Sequence, residues 1–123
     1  MKELISYKYQ GFVERVVDGD TFDIRIDLGF YTTTTQRIRL AEIDTPETYR
    51  PKTEAERTHG QKATDFVTRM IENKQVFVES VKRGKYRFVA KISYQDPDTK
   101  AWIDLGTKLK KEGLVKLDSY PED

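Results

Sequence analysis

The chain has 123 residues, with 22 Lys and Arg against 21 Asp and Glu, one histidine and no cysteine. That length fits one domain, residues 1–123, with a modest core. The balanced charge excludes bulk basicity as a means of holding a phosphate backbone, so any attraction to phosphate is local. The missing cysteines exclude disulfides and thiolate metal sites, and the lone His59 excludes a histidine-rich zinc site. A metal would have to be held by oxygen, which points to calcium, magnesium or manganese.

The opening MKELISYKYQ has no apolar signal core, and no segment reaches membrane-spanning length. The expectation is a cytoplasmic protein with no membrane partner, secretion before processing being the alternative. Phe12–Val17 reads as a strand ending at Asp18-Gly19, a two-residue hairpin signal. Thr21–Leu28 then alternates, with Phe22, Ile24, Ile26 and Leu28 on one face and Asp23, Arg25 and Asp27 on the other. Gly29 breaks it, and Thr32–Thr35 fits a loop or strand edge. A third strand covers Arg37–Leu40 and ends at Thr45-Pro46. Thr53 and Glu56 form a capping box for a helix over 54–73, with Ala63, Phe66, Val67, Met70 and Ile71 in one stripe. Strands over Val76–Val81 and Phe88–Tyr94 follow, then a turn at Asp96-Pro97-Asp98. A short helix runs over 103–112 and stops at Gly113. Trp102 is expected to pack at the small-helix end of the core, and His59 to face solvent.

This order predicts an α+β, mainly β, fold: a five-stranded OB-type barrel with one long helix after strand three and a short C-terminal helix.

Three segments could carry chemistry. In Val17-Asp18-Gly19-Asp20-Thr21, the bland reading is a type I′ turn, yet Asp20 sits at a strand mouth where a carboxylate is free to bind. Arg39-Leu40-Ala41-Glu42-Ile43-Asp44-Thr45-Pro46-Glu47-Thr48 is either a strand with a solvated Pro turn or a set of hard-cation ligands beside a phosphate-binding guanidinium. Lys82-Arg83-Gly84-Lys85-Tyr86-Arg87 is either a solvated basic hairpin or a phosphate clamp with Tyr86 able to stack on a base. Together they supply what phosphodiester hydrolysis needs: cation ligands, a group to position or deprotonate water, and positive donors for the charge that builds on phosphorus.

Asp18-Gly19-Asp20-Thr21, followed by Arg39-Leu40 and Ile43-Asp44-Thr45-Pro46-Glu47-Thr48, resembles the signature of the staphylococcal nuclease (thermonuclease) family. Lys85-Tyr86-Arg87-Phe88-Val89-Ala90 and Glu112-Gly113-Leu114-Val115 resemble its later segments, so the likeness spans residues 11–120. The resemblance implies an OB-fold and hydrolysis of DNA and RNA to 3′-phosphate products with one calcium ion. It implies that Asp20 and Asp44 ligate calcium through carboxylates and Thr45 through its carbonyl. Glu47 matches the glutamate beside the attacking water, as general base or as a water-ordering group. Arg39 and Arg87 match the arginines that bind the scissile phosphate. Lys85, Tyr86 and Tyr120 fall at substrate-binding positions. A monomer is expected.

The sequence departs from the family pattern in four places. The glycine between tyrosine and arginine is missing, leaving Arg83 as a distant competitor of Arg87. Arg37 shares a strand face with Arg39, which is preferred for its spacing to Asp44. The Gly29–Thr35 connection is longer than usual. The family's last helix has no counterpart after Tyr120. The alternative function is an inactive nuclease-like module that binds nucleic acid or protein; against it, Asp20, Arg39, Asp44, Glu47 and Arg87 are all present.

Overall fold

The structure, a computed structural model, describes residues 7–83 and 87–122. Its elements in chain order are β1 (Tyr7–Asp18), β2 (Thr21–Asp27), β3 (Thr33–Leu40), α1 (Glu54–Ile71), β4 (Gln75–Arg83), β5 (Phe88–Gln95), β6 (Trp102–Asp104) and α2 (Leu105–Lys111). The period-two pattern of β2 is realised: Phe22, Ile24 and Ile26 are buried, while the residues between them are not. The strands lie in the order β3-β2-β1-β4-β5-β6, and a further β3–β5 pairing closes the first five into a barrel. That closing pair is parallel, with Arg39 opposite Val89, and all other pairs are antiparallel. This is the expected OB-type barrel, with the long helix between the third and fourth strands. Thr21, Arg39 and Val89 stand on one rung across β2, β3 and β5.

Thr53 caps α1 as its sequence position predicts, its hydroxyl accepting from the Glu56 amide at 3.1 Å. Ala63, Val67 and Ile71 face the barrel fully buried, with Phe66 and Met70 partly buried beside them. The helix stops at Ile71, short of the expected 73, because the chain turns back at once onto β1. Asn73 takes a positive φ of 61° and donates to the Val13 carbonyl at 2.7 Å. The Glu72 carboxylate accepts from the Val16 amide at 2.9 Å, beside an irregularity in the β1–β2 pairing. Helix α2 is capped by Asp104 and ends at Gly113, whose φ of 71° and the Leu114 amide bond to the Leu109 carbonyl are the predicted glycine stop.

Several expectations are corrected. Trp102–Asp104 pairs with β5 as a sixth strand, so the last helix begins at Leu105 and not near Ile103. Trp102 lies outside the core, half-exposed, with its ring 4.7 Å from Phe77. Leu28 leaves the inner face because β2 ends at Asp27. The threonines 33–35 join β3, opposite Asp27, Ile26 and Arg25, which shortens the β2–β3 connection. The β1–β2 hairpin pairs Asp18 with Thr21, so its two turn residues are Gly19 and Asp20, one step later than read. Neither has positive φ, so the turn is not type I′.

One buried group is a stability liability. Tyr94 is 1% exposed, and its hydroxyl finds no hydrogen-bond partner among the described residues. An unpaired buried hydroxyl costs about 1–3 kcal/mol. Tyr94→Phe is therefore expected to raise the melting temperature, with a gain of about 1 kcal/mol read by thermal or urea denaturation; a loss of stability would show that the hydroxyl is satisfied.

Candidate active site

Two chain reversals at one end of the barrel assemble the polar site. The first is the Gly19-Asp20 turn, the second the segment leaving β3 at Leu40. They are tied by the Leu40 amide, which donates to the Asp20 carbonyl at 2.8 Å. Glycine at 19 is set by packing: a Cβ there would lie 2.8 Å from the Thr45 hydroxyl and 2.9 Å from its carbons. The β1–β2 turn thus rests directly on Thr45.

Asp20 is 8% exposed. Its carboxylate accepts from the Thr45 amide at 3.1 Å and from the Thr21 hydroxyl at 3.0 Å, and it lies 3.6 Å from Arg39 Nη2. The same Arg39 nitrogen pairs with the Asp44 carboxylate and donates to the Ile43 carbonyl at 3.3 Å. One guanidinium nitrogen therefore draws together carboxylates 24 positions apart in sequence, Asp20 from the turn and Asp44 from the loop. Arg87, at the entrance to β5, donates to the Thr21 hydroxyl at 3.4 Å, so a relay runs from Arg87 through Thr21 to Asp20.

Arg37 faces the same side of β3 but makes a two-pronged pair with Asp23 at 2.8 and 3.1 Å. This contact holds the Asp23 carboxyl below its ordinary value. Arg37 is thereby fastened to the barrel wall, which separates it from Arg39.

Asp18, expected only as a turn residue, also belongs to this cluster. Its carboxyl accepts from the Asp20 amide at 3.1 Å. Burial, and then the hydrogen bond and charge of Asp20 with a contribution from Glu47, push Asp18 up to about 7. Burial also works to raise Asp20, but the hydrogen bonds from Asp18, the Thr45 amide and Thr21, together with Arg39, outweigh it and hold Asp20 below the usual value. The signal available in sequence was an Asp-x-Asp pair at a two-residue turn, a spacing that crowds two carboxyls.

Glu47 is exposed and near enough to Asp18 to act on its charge. Thr45 is 4% exposed, and its hydroxyl has no hydrogen-bond partner among the described residues. The donors grouped here are hard oxygens: two convergent carboxylates, the Thr45 hydroxyl and the backbone around it. They fit a hard divalent cation, and the raised Asp18 beside them marks a negative potential that such an ion would offset. Among the described residues no three His, Cys, Asp or Glu side chains form a metal-holding group, so backbone, hydroxyl or water oxygens must complete any such set.

Tyr120 is held elsewhere. Its hydroxyl bonds His59 Nδ1 at 2.8 Å and accepts from the Leu117 amide at 3.1 Å. His59 Nε2 donates to the Gly113 carbonyl at 2.7 Å, so His59 is a half-buried pin between α1 and the C-terminal segment and not the solvent-facing residue expected. Lys85 and Tyr86 lie outside the described residues. A hollow of about 280 Å³ behind the Ala41–Ile43 turn, lined by Lys91, Asp104, Thr107 and Lys110, is not lined by Asp20, Arg39, Asp44, Glu47 or Arg87.

The fold and site define an OB-barrel protein with acidic and guanidinium groups converging at one mouth. The family described as "Staphylococcal nuclease homologue" matches residues 37–122, and the chain belongs to that family. It is 32% identical over 112 residues to the "Thermonuclease" of Staphylococcus intermedius, covering 89% of this chain and 60% of that protein. It is 33% identical over 111 residues to the "Thermonuclease" of Staphylococcus hyicus, covering 88% and 59%. It is also 39% identical over 69 residues to "Endonuclease YhcR" of Bacillus subtilis (strain 168), covering 52% of this chain and 5% of that protein. The chain thus spans about 60% of the length of the thermonucleases it matches.

Proposed function

We propose that the protein is a calcium-dependent nuclease that hydrolyses phosphodiester bonds of DNA and RNA to 3′-phosphate products. The observation that carries this reading is the convergence of Asp20 and Asp44 on Arg39, with Arg87 one hydroxyl away. Asp20, Asp44 and the Thr45 carbonyl would hold the ion. There it would neutralise charge on the nonbridging phosphate oxygens.

Arg39 and Arg87 bind the scissile phosphate, each guanidinium presenting a planar fork to its oxygens. Glu47 holds the attacking water and takes its proton. Water oxygen bonds to phosphorus in line as the bond to the 5′ oxygen breaks, and that oxygen is protonated from solvent. The two arginines meet the charge that gathers on phosphorus at the transition state, and such donors are worth about 10²–10³ in rate each. Membership of the family supports this reading, as do the thermonuclease relatives and the endonuclease match.

The test is cleavage of single-stranded DNA by purified protein, with calcium and then with EDTA. Cleavage with calcium is expected, abolished by EDTA and by Asp44→Ala. Folded protein that cleaves with none of calcium, manganese or magnesium would favour instead the inactive nuclease-like module that binds nucleic acid or protein.

A further inference from the structure

Asp20 and Glu56 are the two buried carboxylates among the described residues, and Glu56, at 2% exposed, lies outside the cluster just described. A buried carboxylate is costly unless its oxygens are hydrogen-bonded and its charge is met. Glu56 satisfies this with groups that all belong to the edges of the site. One oxygen accepts from the Lys52 amide at 3.0 Å. The other accepts from the Glu47 amide at 3.4 Å and faces the Lys116 ammonium at 3.5 Å. These contacts, the Lys52 amide foremost, outweigh burial and hold the Glu56 carboxyl below its ordinary value, so it stays ionised at neutral pH.

The loop it gathers, residues 47–52, carries Glu47 and is without regular secondary structure. A helix cap alone does not require this arrangement, because Thr53 already satisfies the amide of Glu56. The Glu56 side chain instead reaches past the cap to both ends of the loop. Lys116 adds a second connection: its amide donates to the Asp44 carbonyl at 2.8 Å while its ammonium meets Glu56. Glu56 is thus joined through backbone hydrogen bonds to Glu47 on one side and, through Lys116, to Asp44 on the other.

We infer that Glu56 is the positioning residue of the site, its buried carboxylate holding the Glu47 backbone at the place where the glutamate meets water. The inference rests on the role given to Glu47 above. Glu56 touches no substrate; it removes alternative loop conformations, and small displacements of a reacting group cost large factors in rate.

Two measurements test this together. Amide hydrogen exchange of residues 47–52 is compared in wild type, Glu56→Ala and Glu56→Gln, the glutamine keeping an acceptor oxygen. Turnover is measured for Glu56→Ala alone, for Glu47→Gln alone and for the double variant, on single-stranded DNA with calcium. The expected result is faster exchange confined to 47–52, with the barrel strands still protected, and partial recovery in Glu56→Gln. Glu56→Ala should lower kcat about 10–100-fold with KM changed less than about threefold, yet add less than about threefold on Glu47→Gln, because the two residues act as one unit. Unchanged exchange over 47–52, or equal losses in both backgrounds, overturns the inference. If Glu56→Ala unfolds, Glu56→Gln and Lys116→Met carry the same exchange comparison. Absence of cleavage by wild type bears on the proposed activity alone, since the exchange pattern still decides whether Glu56 holds the loop.

Discussion

Arg39→Ala is expected to lower turnover on single-stranded DNA by about 10²–10³-fold while leaving the barrel folded. The side chain is 32% exposed, so its ion pairs with Asp20 and Asp44 are screened and contribute little to folding, about 0–1 kcal/mol. Its position is what matters: one nitrogen sits against the two carboxylates proposed to hold the cation, which puts the guanidinium beside the proposed phosphate site. Arg39→Lys should restore little, because an ammonium cannot reproduce that fork. Arg87→Ala should fall by a similar factor.

Arg37→Ala is the control, since Arg37 is spent on Asp23. It should stay within about threefold of wild type, as expected of an exposed pair away from the chemistry. Steady-state kinetics with calcium, alongside melting curves, decide the matter. Loss of activity in Arg37→Ala with Arg39→Ala intact would reverse the assignment.

Gly60→Ala should destabilise the protein, against the sign that helix propensity gives. Glycine within a helix costs about 1 kcal/mol relative to alanine, so on propensity alone the substitution stabilises. Here α1 presses against the site loop at residue 60. A Cβ would stand 2.7 Å from the Pro46 carbonyl oxygen, 2.8 Å from that of Glu47 and 2.9 Å from a Thr48 methyl. Two of these atoms are backbone, so no side chain can swing aside; helix and loop must part.

The expected loss is about 1–3 kcal/mol, the usual range for overpacking, read as a lower melting temperature. Turnover should fall with it, because the displaced loop carries Glu47. A rise in melting temperature would show that the loop yields easily, and that close approach is not what selects glycine at 60.

The barrel was legible wherever a local pattern answers to one physical cause. Alternation in Thr21–Asp27 marks a half-buried strand, Thr53 ahead of Glu56 marks a helix start, and Gly113 marks its end. Trp102–Asp104 escaped because three residues carry no period, and only pairing with Ser93–Gln95 makes them a strand. Trp102 was misplaced for a related reason: a large aromatic signals burial on average, but its side of β6 meets Phe77 on the outer wall. His59 carries no periodic signal either, since its partners lie 54 and 61 residues away.

Local patterns set all the elements but β6, the barrel class and the supply of acidic and basic residues, because strand alternation, helix stripes and caps depend on neighbours a few residues apart. The tertiary structure decided how those residues are shared out. The β2–β3 register sets Arg39 opposite Thr21 and Arg37 opposite Asp23, so that Arg39 meets Asp20 and Asp44 while Arg37 is bound to Asp23, and closure through the β3–β5 pair brings Val89 onto the Arg39 rung. It also raised Asp18 from a turn residue to part of the charged cluster, and turned Glu56 from a helix-capping signal into the buried anchor of the Glu47 loop. These roles arise from charges and hydrogen-bonding groups far apart in the chain that share a partner after folding, and no local pattern in the sequence encodes which partner each will find.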